Sequence, residues 1–174
     1  MKLTFIASVI LAVSVLTAPM TVLAKSNTPV AEYALPYPGM LPDHPLYSIK
    51  ALRDRILDFL IVDPARKAEF SILQADKRLG MGMALMEKGN ATLAESVVSK
   101  GEKYMYQAVY SLLALKNQGK AVPGYVADRL DLSLAKHAEV LGTLVTRASE
   151  PEKSGLAGSL ELVGLLVDEL PKLK

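Results

Sequence analysis

Asp63-Pro64-Ala65-Arg66-Lys67-Ala68-Glu69, running on through Ile72, Ala75, Leu79, Met83 and Met86 to Gly89, is the stretch that decides the fold. A carboxylate followed by proline is a helix start. Asp63 can accept from the orphan amides of the first turn, and Pro64 has no amide to lose there and brings a helical φ with it. From Ala68 the apolar residues recur at intervals of three and four, which lines one face of a helix with 3.6 residues per turn. Gly89 can take left-handed backbone without a Cβ clash and closes the segment. The reading is a helix over 64–88.

The same punctuation repeats outward from this stretch. Asn90 opens a helix over 91–116 with a seam of Ala94, Val97, Gly101, Tyr104, Ala108 and Leu115, stopped by Gly119. After Val122-Pro123-Gly124 a helix over 123–148 carries Leu130, Leu134, His137, Leu141 and Leu144. Upstream, Pro45 starts a shorter helix over 46–62 on Leu46, Ile49, Leu52, Ile56 and Phe59; downstream, Leu156, Leu160, Val163, Val167 and Leu170 mark another over 155–170, ended by Pro171. Nothing alternates with period two or carries the β-branched runs of strands. The expected fold is therefore all-α: an antiparallel bundle of three matched rods, each roughly 37–39 Å long, with sequential neighbours side by side and the two shorter helices covering part of a face. Gly101, on its helix seam, predicts close approach of a neighbour, while Gly80 with Gly82 is a candidate kink.

The chain has 174 residues, long enough for one domain with a sizeable core. Its first 24 residues contain no acid and one basic side chain, Lys2, before a nearly unbroken apolar run from Leu3. They read as a secretory signal with cleavage after Ala24, because Val22-Leu23-Ala24 puts small residues where a signal peptidase needs them. An uncleaved anchor of the same length is the alternative, and Pro19 argues against it. With either reading the protein is exported, to a periplasm, a cell surface or the medium, and touches the membrane only through this segment. There is no cysteine, which excludes disulfides, thiol catalysis, Cys–zinc sites and a thioether-linked lipid. Without Lys2 the balance is 19 bases to 18 acids, so no nucleic acid partner is implied. Residues 25–44 hold Pro29, Pro36, Pro38 and Pro42 and read as an extended tether into the bundle at 45–174, although Tyr33, Leu35, Tyr37 and Met40 could instead lie against it.

Leu41-Pro42-Asp43-His44-Pro45-Leu46-Tyr47, then Lys50 and Arg53, then Asp63-Pro64 into Lys67-Ala68-Glu69 and Glu87-Lys88-Gly89-Asn90, resembles a family of bacterial extracytoplasmic helical domains that carries only a domain-of-unknown-function label. The likeness covers about residues 38–115. It departs after Arg78, where Leu79-Gly80-Met81-Gly82-Met83 is apolar and glycine-rich instead of charged. The resemblance implies a small exported helical module, sometimes attached to membrane-anchored proteins, and brings no enzymatic activity.

The two histidines, His44 and His137, sit in no metal, hydrolase or nucleotide-binding pattern, and the carboxylates are mixed with lysines as on solvated helix faces. No enzyme and no cofactor are expected. His137 lies on an apolar seam, as a hydrogen-bonded core residue or a pH-sensitive one. Tyr106, Tyr110 and Leu113, at i, i+4 and i+7, are the candidate anchors for an envelope protein or a second copy, unless neighbouring helices cover them. Met81, Met83 and Met86, with Met105, offer soft thioethers suited to Cu(I), a metal-binding alternative to plain core packing. A periplasmic chaperone is the other alternative. The primary expectation is a non-enzymatic module acting by protein–protein interaction.

Overall fold

The computed structural model describes residues 33–173; the leader, Ala24 and the first part of the proline-rich segment lie outside the described residues. The described residues form five α-helices: α1 Tyr47–Leu60, α2 Pro64–Glu87, α3 Ala91–Asn117, α4 Gly124–Arg147 and α5 Glu152–Glu169, the last running into a short 3₁₀ turn, Leu170–Leu173. The described residues contain no strand. Asp63 Oδ1 accepts from the Arg66 amide at 2.8 Å with Pro64 behind it, and Asn90 Oδ1 accepts from the Leu93 amide at 3.1 Å. Gly89 ends α2 with φ +78°, and the Asn90 amide reaches back to the Leu85 carbonyl at 2.9 Å, satisfying an orphan acceptor.

Four of the helices make the bundle. α2 and α3 form one antiparallel hairpin, and α4 and α5 form a second. Cross-hairpin contacts keep a constant offset: Glu69 meets Tyr125, Asp76 meets Ser133, and Met83 lies beside Val140. On the other side Thr92 meets Glu152 and Ser99 meets Ser159. A constant offset means parallel helices, so α2 runs alongside α4 and α3 alongside α5. Each helix therefore reverses the one before it, as expected, yet α3 and α4, neighbours in sequence, lie across the diagonal and scarcely touch. The hairpins are laid side by side because each has one apolar flank left to bury, and both flanks close on Leu79, Met105, Leu112, Leu134, Leu141, Leu156 and Leu166.

The α2–α3 contact is unusually close. A Cβ built on Gly82 would fall 2.2 Å from Val98 Cγ2, and one on Gly101 would fall 3.0 Å from Arg78 Cβ and 3.3 Å from the Ala75 carbonyl oxygen. Gly101 has the role its seam position predicts. Gly80 and Gly82 mark no kink: α2 is continuous, Gly82 admits Val98, and Gly80 receives Pro38 of the incoming chain. From Tyr33 onward that chain is not a free tether. Leu35 and Leu41 pack on the core, and the segment is pinned by Tyr33 to Asp76 at one end and by Asp43 to Lys88, 2.7 Å, at the other.

α1 lies outside the bundle, and its orientation corrects the expected one. An amphipathic helix ordinarily turns its apolar stripe to the core. Here Leu46, Ile49, Leu52, Ile56 and Phe59 all face solvent, Phe59 being 82% exposed. The inward face is Tyr47, Lys50, Ala51, Asp54 and Asp58. Tyr47 packs on the core, Asp54 is buried at 4% exposure, and Lys67 at the start of α2 reaches back to the Asp58 carbonyl at 3.1 Å. The four-helix core is already closed without α1, so the face that fits against it is the one with polar groups able to reach partners.

Candidate functional site

Among the described residues, α1 and the segments flanking it carry the most exposed large apolar side chains. Eight lie on the outward face of α1 and on the segments that flank it: Leu46, Ile49, Leu52, Ile56, Leu57, Phe59, Leu60 and Val62. Soluble monomers rarely leave an apolar run of this size on one element. The charges of α1 are sorted as well. Asp54 points inward and is held by Arg53 at 2.7 Å, and Asp58 sits beside Lys67 at 3.6 Å, whereas Arg53 and Arg55 reach solvent.

The tyrosines singled out in the sequence are indeed exposed. Tyr106 and Tyr110, at 45% and 42%, stack on each other with ring centroids 4.3 Å apart. Leu113 is turned in against the core. Tyr110 and Leu113 edge a shallow cleft of about 380 Å³ with Glu169 and Lys172 at the end of α5. This surface is smaller and more polar than that of α1.

The methionines do not share a face. Met81 and Met105 are fully buried, Met86 is half-buried against the core, and Met83, about 200° round the helix from Met81, emerges at the α2–α4 groove beside Val140. Among the described residues no group of three His, Asp or Glu side chains is placed to hold a metal ion.

His137 sits in a polar cluster at the centre of the bundle. Its Nδ1 donates to Glu102 Oε1 at 2.8 Å and its Nε2 to Asp76 Oδ1 at 3.3 Å, with all three side chains buried. Asp76 Oδ1 also accepts from Ser133 at 2.6 Å, and Oδ2 from Tyr33 at 2.6 Å with Arg129 at 3.5 Å. Burial alone would push the imidazolium pKa down. The Glu102 charge and the hydrogen bonds to Asp76 and Glu102 outweigh it and raise His137 from 6.5 to about 9. Asp76 is held below its ordinary value: burial opposes this, and the donors His137, Ser133 and Tyr33 overcome it. Both ring nitrogens are committed and no part of the ring meets solvent, so His137 has no free lone pair with which to act as a base. Its partners Asp76 and Glu102, on α2 and α3, were not identified from the sequence. The only available signal was that each interrupts an apolar stretch at a seam spacing.

The fold and its surfaces define a four-helix bundle with an added, inverted amphipathic helix and a strapped-down N-terminal segment. No helix among the described residues is long and apolar enough to cross a membrane. The protein belongs to the family described as "Domain of unknown function (DUF5667)", whose model matches residues 39–150, well over half of the chain. The match runs further than the resemblance seen in the sequence, to just past the end of α4, and leaves out α5, although Leu156, Val163 and Leu166 of α5 complete the core. No curated protein and no solved structure matches the chain.

Proposed function

We propose that the protein is an exported, non-enzymatic interaction module whose bundle holds α1 out to an apolar, acid-flanked helical segment of another envelope protein. The supporting observation is the inversion of α1, which places Ile49, Leu52, Ile56 and Phe59 in solvent and tucks Asp54 away from it. An apolar stripe at three- and four-residue spacing is the form in which helices recognise one another's grooves. Arg53 is already paired with Asp54, whereas Arg55, at the edge of this face, has no carboxylate partner among the described residues and favours a partner flanked by acids over a second copy, which would bring a second such cation. Export is supported by the apolar leader with its small residues before the expected cleavage after Ala24.

The test is site-specific photo-crosslinking in cells that make the full chain. A benzophenone side chain at Ile56 should capture one envelope protein, the same label at Asp168 should not, and Ile49→Asp should abolish capture. Crosslinking at position 56 only to a second copy, or capture unaffected by Ile49→Asp, would overturn the reading. Capture lost with Tyr106→Ala/Tyr110→Ala but kept with Ile49→Asp would move the surface to α3. The apolar face of α1 also favours a second reading, a chaperone that shields unfolded chains; it predicts suppressed aggregation of unrelated clients, lost with the same Ile49→Asp change.

A further inference from the structure

Between α1, α2 and α3 lies a cleft of about 420 Å³ whose walls carry four cations, Arg55, Arg78, Lys100 and Lys103, and no acid. Elsewhere the chain pairs many of its bases: Lys67, Lys88, Arg129, Lys136 and Lys172 each have a carboxylate within 3.6 Å. Arg55, Lys100 and Lys103 have none in ion-pairing range among the described residues.

Arg78 is the telling member. It is only 8% exposed, yet among the described residues its guanidinium has no carboxylate partner. Nη1 donates to the Gln74 carbonyl oxygen at 3.1 Å and to Gln74 Oε1 at 2.7 Å, and the group lies 4.3 Å from the centre of the Tyr104 ring. A buried cation ordinarily has a counter-charge, because neutral acceptors offset only part of the lost hydration. The Arg78 Cβ lies close against Gly101 of α3, so the stem of the side chain is seated in the α2–α3 seam. Lys100, Lys103 and Tyr104 follow one another round the same side of α3, and Arg55 closes the cleft from α1. Asp54, the acid next to Arg55 on α1, is committed to Arg53.

We propose that this cleft is a binding site for a phosphate-bearing anion. Four cations exceed what one carboxylate neutralises, and a phosphate group or a pair of them accepts several hydrogen bonds at once from a guanidinium and lysines. The phosphate can belong to a free phosphoryl compound or to an anionic lipid headgroup, the same chemistry from two sources. The proposal does not depend on the docking role of α1.

The test uses the full chain and its Lys100→Glu/Lys103→Glu variant, whose changes are on exposed side chains and whose fold is checked by circular dichroism. Calorimetric titration with pyrophosphate at low salt should show binding that weakens at least tenfold in the variant and falls with added salt. Flotation with phosphatidylcholine vesicles, with and without phosphatidylglycerol, separates the sources: binding that requires phosphatidylglycerol and is lost in the variant assigns the site to a headgroup, and pyrophosphate binding without flotation assigns it to a free phosphoryl ligand. If neither pyrophosphate nor phosphatidylglycerol vesicles bind, or the variant binds both as tightly as the parent chain, the proposal is overturned. Arg78→Gln is the second variant; it should lose pyrophosphate binding and gain or keep thermal stability, since it removes the uncompensated charge.

Discussion

Over α2, residues spaced by three and four, Ala68, Ile72, Ala75 and Leu79, are wholly removed from water; over α1, residues with the same kind of spacing, Ile49, Leu52, Ile56 and Phe59, stand at half to four-fifths exposure. The periodic pattern in each is that of an amphipathic helix. What separates them is what lies opposite. α2 faces α3 across Gly82 and Gly101, where no side chain keeps the backbones apart, and faces α4 across the His137 cluster. α1 meets a bundle whose apolar interior is already filled, and packs with Tyr47 and Asp54 instead. Periodicity records that a helix has an apolar face; whether that face is covered depends on how much apolar surface its neighbours have left.

This contrast can be broken hardest at His137. His137→Ala would leave Asp76 and Glu102 buried with their common cation gone, and should cost about 3–5 kcal/mol in urea unfolding. Leu79→Ala, in the seam, should cost about 2–5 kcal/mol, with the spread set by how far the α2–α3 contact can collapse. The pH dependence of stability sharpens the same point. His137 binds its proton more tightly folded than unfolded, so its contribution is complete below pH 6.5 and lost as the pH rises through about 9, about 3 kcal/mol in all. Asp76 acts in the opposite sense, since its folded pKa is lowered: its contribution is present above its ordinary value near 3.8 and lost in acid. Denaturation midpoints should therefore be highest between about pH 4 and 6.5, and a midpoint still rising from pH 7 to 9 would contradict the charged cluster.

Smaller effects are expected away from the polar centre. Gly101→Ala should destabilise by about 1–3 kcal/mol despite its better helix propensity, because the new methyl group meets Arg78 and the Ala75 carbonyl. On α1, Leu52→Lys and Ile56→Asp should change stability by no more than about 0.5 kcal/mol, since they cover nothing. A loss of 2 kcal/mol or more there would show that the stripe is buried in solution, against a partner copy or by a different seating of the helix.

Much of the architecture was legible residue by residue. Asp63-Pro64, Asn90, Gly89 and Gly119 marked starts and stops that the backbone confirms to within a residue, because caps are local: each is decided by which groups a turn leaves unpaired. Gly101 announced its close approach by sitting on a seam. The candidate surface was less legible. Tyr106 and Tyr110 were found because their spacing put them off the main seam, but the stripe of α1 was expected to cover the bundle, and the cations of the cleft, scattered over three helices, have no common spacing to reveal them.

The sequence alone determined that this is an all-α protein, where three of its helices begin and end, and which faces of α2, α3 and α4 are apolar; all of these follow from interactions within a few residues of the chain. Only the tertiary structure decided that the two hairpins lie with like-directed helices in contact, that Asp76 and Glu102 close on His137 from separate helices, that α1 turns its apolar side outward, and that Arg78 is buried with no carboxylate partner among the described residues. Each of those outcomes is a competition among distant segments for the same buried space, and no local pattern encodes which of them gets it.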